Sequence, residues 1–341
     1  MAQTIAAPSP ARTGGEKIAM ALLFAGLAAA PFVAYPFFLM QFLCFALFAC
    51  AFNLLPGYVG LLSFGHAMFL GTGGYMAAHF AKEGTIYFPG LSAFGTTFIS
   101  PALLNLGPQR PEVAILIGVV VAALLGLVVG QLAIKRQGIY FSMITLALSQ
   151  MIFFIALQAP FTHGEDGIQS VPRGKMFGFL DLSQPLVMYF VVLAIFIFGF
   201  MLIYRTINSP FGEVLKAIRE NESRAVSLGY KVDQYKLAAF VLSASLVGLA
   251  GATKAIVAQS ASLTDVHWTM SGEVVLMTLV GGLGTLFGPV AGAVVIVWMQ
   301  TYLSGLGQWV TVIQGVIVDA CVLAFRRGVV GEIAARLRIT L

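Results

Sequence analysis

EVAILIGVVVAALLGLVVGQLAI, residues 112–134, carries a single charge, Glu112, at its very start. A helix needs about 20 apolar residues to cross a hydrocarbon core of ~30 Å, and this stretch supplies them without interruption. Lys135 and Arg136 follow at once, marking where the chain returns to water. Similar runs recur on both sides, at 18–37, 38–55, 61–81, 139–160, 185–207, 237–258, 273–303 and 309–325. The whole chain of 341 residues is 59% hydrophobic and only 10% charged, with a mean hydropathy of +0.92. A soluble domain carries about 25% charged residues. The reading is therefore an all-α, polytopic transmembrane bundle of about nine or ten spans, with the bilayer as solvent.

The breaks between runs are as informative as the runs. Pro56-Gly57 interrupts the chain after the second span. Residues 82–111 contain Pro89, Pro101, Pro108 and Pro111. That density of proline forbids a further span and predicts a long external loop with room for a short helix. Run 273–303 is too long for one simple crossing, and Gly281-Gly282-Leu283-Gly284 and Gly288-Pro289 lie in its middle. It is expected to enter, break or re-enter near 281–289, and return. Irregular backbone at that depth is tolerated only inside protein or against a water-filled cavity. The glycine-rich stretches 60–71 and 282–292 echo one another. They fit either duplicated halves or two separate small-residue packing faces.

Charge orients the bundle. Most of the 19 Lys and Arg fall in the N-terminal tail, at 135–136, in 205–236 and in 326–341. The positive-inside rule places those segments in the cytoplasm, both termini included. Arg326 and Arg327 reach that side only if 273–303 passes twice or forms a hairpin near Thr285. The expected organisation is a cytoplasmic tail at 1–17, one membrane domain at 18–331, and a cytoplasmic tail at 332–341. External loops are expected at 82–111 and 161–184, and a cytoplasmic loop at 208–236. Leu27-Ala28-Ala29-Ala30 looks like a signal-peptidase site, but the many following spans argue for an uncleaved first one. Cys44, Cys50 and Cys321 lie in apolar runs without CxxC spacing and read as small buried residues.

Loop 208–236 holds an amphipathic pattern. Ser209 suits an N-cap and Pro210 the first helical position. Phe211, Val214, Leu215 and Ile218 then form one apolar stripe, with Glu213, Lys216, Arg219, Glu220 and Glu222 around it. Such a helix either lies on lipid or docks in a partner's groove, and its mixed charge favours the partner. Ser63 and His66, in the glycine-rich stretch 57–75, are polar groups that lipid cannot satisfy. Each is either part of a path or an interhelical hydrogen bond. Asp319 and Lys254 carry the same two readings, whereas Asn53 and Glu273 near span ends read as structural. The external stretch 162–173 mixes acids, glycines and Arg173, and either faces a substrate or docking protein or forms an ordinary turn-rich loop.

No GxxxxGK[ST] phosphate loop, HExxH or GxSxG occurs, and there are only four histidines. No cofactor or metal is expected, and the basic balance belongs to topology, not to nucleic acid.

Several stretches together resemble the permease subunits of branched-chain amino acid ABC transporters, in their LivM-like branch. They are NLLPGYVGLLSFGHAMFLGTGGYMAA (53–78), GIYFSMITLALSQM (138–151), HGEDGIQSVP (163–172), SPFGEVLKAIRENESRAVSLGY (209–230), KLAAFVLSASLVGLAG (236–251) and GGLGTLFGPVAGA (281–293). The resemblance implies an importer permease architecture in the inner membrane, without enzymatic activity of its own. It further implies a second homologous permease, two ATPase subunits and a periplasmic binding protein as partners. On this likeness 209–229 is the loop that couples to the ATPase, through Ser209, Phe211, Glu213, Leu215, Ile218, Arg219, Asn221, Glu222, Ala225 and Gly229. The family's Glu-Ala-Ala start is absent, since Ser223-Arg224 precede Ala225. Ser63, His66 and Asp319 are the candidates for the pathway. Urea or short amides are the rival cargoes. An ion-coupled secondary transporter is the rival class, with only Asp319, Lys254 and His66 to carry ions.

Overall fold

Apolar surroundings oblige the backbone to close its own hydrogen bonds, and this chain does so almost entirely in helices. The computed structural model describes residues 10–32, 34–87, 92–93, 96–97, 103–105, 107–136, 138–303, 305, 307, 309–324, 328 and 332. The helices are α1 (Pro10–Ala29), α2 (Pro36–Asn53), α3 (His66–Lys82), α4 (Pro111–Ala133), α5 (Ile139–Gln158), α6 (Pro185–Ile207), α7 (Pro210–Glu220), α8 (Glu222–Ser227), α9 (Val232–Ala258), α10 (Trp268–Gly281), α11 (Gly288–Tyr302) and α12 (Trp309–Ala324). Among the described residues five are long and apolar enough to cross a membrane: α2 with its extension to Val59, α4, α5, α6 and α9. Shorter apolar helices cover Ala19–Phe32 and Gly288–Tyr302.

Three details differ from the sequence reading. Helix α1 starts at Pro10, inside the stretch expected as a tail. Within 82–111, between the end of α3 and the start of α4, the described residues form short antiparallel pairs, Thr85–Tyr87 with Leu103–Asn105 and Ser92–Ala93 with Thr96–Thr97, and no further helix. The expected span 61–81 is not one helix. After α2 the chain runs on as a π-helix, Leu54–Val59, turns at Gly60, and α3 begins only at His66.

Hydroxyl groups explain why helix formation is delayed there. Phe64 N donates to Thr145 Oγ1 at 3.3 Å, Gly65 N to Ser63 Oγ at 3.3 Å and Ala67 N to Ser271 Oγ at 2.8 Å, while Ser142 Oγ donates to the Leu62 carbonyl at 2.6 Å. Helices α5 and α10 thus satisfy the peptide groups that an irregular segment leaves open.

Run 273–303 forms the expected hairpin. Gly281 lies against Gly288 and Gly292 against Met277, so α10 and α11 run antiparallel around a turn at 282–287. Their 14 and 15 residues give arms of about 21–22 Å at 1.5 Å per residue. Each arm is therefore shorter than the ~30 Å core.

The centre of the bundle is α9, packed on α2, α3 and α4. Small residues set that distance. A Cβ on Gly251 would stand 1.9 Å from the Leu70 carbonyl oxygen, and one on Gly73 2.5 Å from that of Gly248. Close backbone approach through small residues is how helices gain dispersion contact where lipid offers no hydrophobic drive. The hydrophobic windows of α2 and α9 are 89% and 72% buried, against 28% for α5. α5 therefore forms the outer layer.

The basic segments gather at one end. Lys135 lines a cleft with Asp233 and Gln234 at the start of α9. Arg219 meets Gly57 and Gly284, and Gly328 lies on Gly282. At the opposite end Lys82 Nζ donates to the Gln169 carbonyl at 2.9 Å and Arg173 Nη2 to that of Val257 at 2.9 Å. There Ile168–Gln169 pair with Ser260–Ala261.

Candidate functional site

The amphipathic segment folds as its pattern demands. Ser209 is extended and its hydroxyl accepts from Gly212 N at 3.4 Å, with Pro210 starting α7. Leu215 and Ile218 are buried, and Phe211 stacks on Tyr235 of α9 with ring centroids 5.6 Å apart. The helix is thus pressed between the end of α6 and the start of α9. Glu213 and Lys216 pair at 2.8 Å, Glu213 largely exposed and Lys216 partly so.

The segment is two helices, not one. Asn221 leaves helical geometry at φ −157° and its Oδ1 accepts from Arg224 N at 3.0 Å, capping α8. Ala225 is buried with Ile218 and Val232. Gly229 closes α8 at φ +88°, a conformation that L side chains rarely adopt. Beyond the mixed-charge face, Val226 and Leu228 stand exposed at 56% and 69%. Their contribution to the outward surface was not evident from the stripe, which ends at Ile218.

Two of the expected residues reach across to other elements. Glu222 Oε1 accepts from Lys236 Nζ at 2.7 Å, and Lys236 is only 2% exposed. Arg219 is exposed overall, yet its guanidinium reaches across to donate to the Gly57 carbonyl. Asn53 completes the same corner: its Nδ2 donates to the Thr285 carbonyl at 2.9 Å and its Oδ1 accepts from Gly284 N at 3.1 Å. Gly57 and Gly284 lie backbone to backbone. The Pro56-Gly57 break and the 281–289 break therefore touch in space. Beside them an open cleft of ≈ 210 Å³ is lined by Tyr58, Tyr204, Lys216 and Thr285, among others.

Two of the pathway candidates, Ser63 and His66, lie fully buried inside the bundle. His66 Nε2 contacts Ser243 Oγ at 3.1 Å, while Ser243 spends its proton on the Ala51 carbonyl at 2.6 Å. Nε2 must therefore carry the imidazole proton. Phe52, Phe69 and Phe240 surround the ring edge-to-face. This is a closed interhelical contact, and neither side chain opens onto a passage in this state. Asp319 lies on α12, and its side chain is outside the described residues. Lys254 is paired with Asp265 and lies over the Phe45 ring at 5.1 Å, and Glu273 accepts from Gln300 Nε2 at 2.8 Å.

A family model described as the branched-chain amino acid transport system / permease component matches residues 34–325. Among curated proteins, the high-affinity branched-chain amino acid transport system permease protein LivM of Escherichia coli (strain K12) is 24% identical over 218 residues, covering 57% of this chain and 51% of that protein. The probable branched-chain amino acid transport permease protein LivM of Methanocaldococcus jannaschii is 26% identical over 282 residues, 78% of this chain and 80% of the relative. The ribose import permease protein RbsC of Bacillus subtilis is 28% identical over 270 residues, 70% and 81% respectively. The match thus spans about half the length of the Escherichia coli relative. No solved structure matches.

Proposed function

Because the chain belongs to the permease-component family of branched-chain amino acid transport systems, we propose that it is the membrane subunit of an ATP-driven importer. It carries leucine, isoleucine or valine across the bacterial inner membrane, with both termini in the cytoplasm. Separate ATPase subunits supply the energy, a second homologous permease completes the passage, and a periplasmic binding protein delivers the cargo. The 18–331 span acts as one permease unit between two short tails.

The observation that carries this reading is the α7–α8 segment. Its apolar stripe is held by the bundle, and its charged face with Val226 and Leu228 is left outward. A helix held on one side and free on the other suits a soluble partner's groove. ATP-driven closure of that partner then shifts the bundle between outward-open and inward-open states, favouring whichever state it binds better. The ATPase-contacting residues are those of 209–229 that face out: Glu213, Asn221 and their neighbours. The buried Leu215, Ile218 and Ala225 fix the segment's seat.

Reconstitution tests the reading. Vesicles holding this chain, its second permease, both ATPases and loaded binding protein should accumulate labelled leucine only with ATP inside. Gly229→Arg, or Phe211, Leu215 and Ile218 all changed to Ala, should abolish uptake while the chain still inserts. Gradient-driven uptake by this chain alone would sink the proposal in favour of a secondary transporter. Labelled urea, acetamide and ribose, run in parallel, decide the cargo. Ribose is included because a ribose import permease is among the relatives.

A further inference from the structure

We propose that Arg219 is a positioning residue: it fastens the coupling segment to the two broken membrane elements at once and passes its displacement to them. The inference rests on the coupling reading above and extends it inward.

One hydrogen bond and two close approaches converge on this side chain. Its Nη1 donates to the Gly57 carbonyl, near the end of the π-helical extension of α2. The same nitrogen is 3.3 Å from where a Cβ of Gly284 would stand, on the turn between α10 and α11. Its Cγ is 3.0 Å from the corresponding position on Gly60, where the chain leaves α2 for the irregular segment towards α3. Asn53 holds the α2 side of this corner to the same turn through Gly284 N and the Thr285 carbonyl.

What Arg219 touches is therefore the irregular backbone of the bundle. Regular helices resist bending because each turn is closed by its own hydrogen bonds, whereas turns and irregular segments open at lower free energy. A push arriving at α7 through an exposed helix face has to reach elements able to adopt a second arrangement. Arginine suits the task. Its planar fork presents several donors in fixed geometry, so one side chain can grip a carbonyl while lying against a neighbouring turn. Lysine has the charge without the fork.

The test uses the complete reconstituted transporter with wild-type chain, Arg219→Ala and Arg219→Lys. Glu220→Cys on the exposed face reports ATPase association by cross-linking. Arg219→Ala should keep the cross-link and the ATP hydrolysis, while uptake per ATP falls by roughly 5- to 150-fold, the span of an ordinary coupling free energy. Arg219→Lys should restore part of it. A second measurement needs no partner. In the chain alone in detergent, hydrogen exchange should quicken in Arg219→Ala at 55–61 and 282–287 and stay unchanged in α4. Wild-type uptake per ATP in Arg219→Ala would overturn the proposal. So would loss of the cross-link, which would make Arg219 a docking residue, or unchanged exchange at both segments. If the wild-type chain neither cross-links nor couples, it is the underlying coupling reading that fails.

Discussion

Replacing Glu222 by Gln keeps the side chain's size and removes its charge, leaving Lys236 without its carboxylate. Lys236 is 2% exposed, Glu222 is 28% exposed, and 2.7 Å separates Nζ from Oε1. Breaking a buried pair by removing one partner destabilises by about 3–5 kcal/mol, because an uncompensated charge stays buried. Here the carboxylate is partly in water, which weakens the pair and lets solvent follow the ammonium. The expected loss is about 2–3 kcal/mol, and it falls locally on the hold of α8 against α9. At about 1.4 kcal/mol per tenfold change, amide exchange in 222–230 should accelerate roughly 30- to 150-fold. Lys236→Met alone removes the costly buried charge and should do less harm. The Glu222→Gln, Lys236→Met double variant should return to within about 1 kcal/mol of wild type. The measurement is hydrogen exchange by mass spectrometry on all four proteins in one detergent, completing a double-mutant cycle. Additive effects, or a Glu222→Gln variant indistinguishable from wild type, would refute the reasoning that this pair fastens the segment.

Gly251→Ala places a methyl 1.9 Å from the Leu70 carbonyl oxygen. Forcing α3 and α9 apart should cost about 1–3 kcal/mol or more, read as a lowered thermal midpoint. Gly272→Ala, inside α10 with nothing within 4 Å, should hold the midpoint or raise it slightly, since alanine favours a helix over glycine. A reporter fused after Arg327 should read cytoplasm, because the α10–α11 hairpin and α12 return the chain to the end that holds α7; an external signal there contradicts the orientation. In the loop before α6, Asp181 has its carboxyl held below the usual carboxylate range, first by the Ser183 backbone N–H at 2.9 Å, then by its hydroxyl. A depressed carboxylate stabilises fully above its unfolded value of ~3.9 and loses that contribution as pH falls through the lower folded value. Exchange at 182–184 should therefore rise across that acidic window in wild type and not in Asp181→Asn.

What the sequence discloses is whatever short-range pattern controls. The apolar runs of α4, α6 and α9 needed only a length and a hydropathy. Ser209, Pro210 and the Phe211–Ile218 stripe are local chemistry, and the helix they specify is present. The Gly281–Pro289 break was legible because glycine and proline interrupt a run whatever surrounds it. The segment 60–65 was not legible, because its conformation depends on Thr145 and Ser142 of α5. Asn53 bonds a turn 231 positions away, and only the fold reveals that its amide spans two elements. Arg219 was placed on the outward face by helical periodicity, which fixes a Cα direction but not where a long side chain ends. The one available hint for Lys236 was a cation just inside an apolar run, where a partner is required. Among the pathway candidates periodicity had no purchase, and the structure encloses Ser63 and His66.

The backbone contact between Gly57 and Gly284 also limits how such a chain can change in length. Two segments that abut glycine to glycine leave no slack on either side. An extra residue in 54–60 has to be absorbed by displacing 282–287, and the reverse holds as well. Insertions and deletions accumulated in this lineage should therefore concentrate in the outer stretches, such as 84–111, while alignments stay free of gaps through both breaks. A single-residue insertion scan would map the same boundary directly: tolerant at the outer rim, intolerant wherever the two breaks meet.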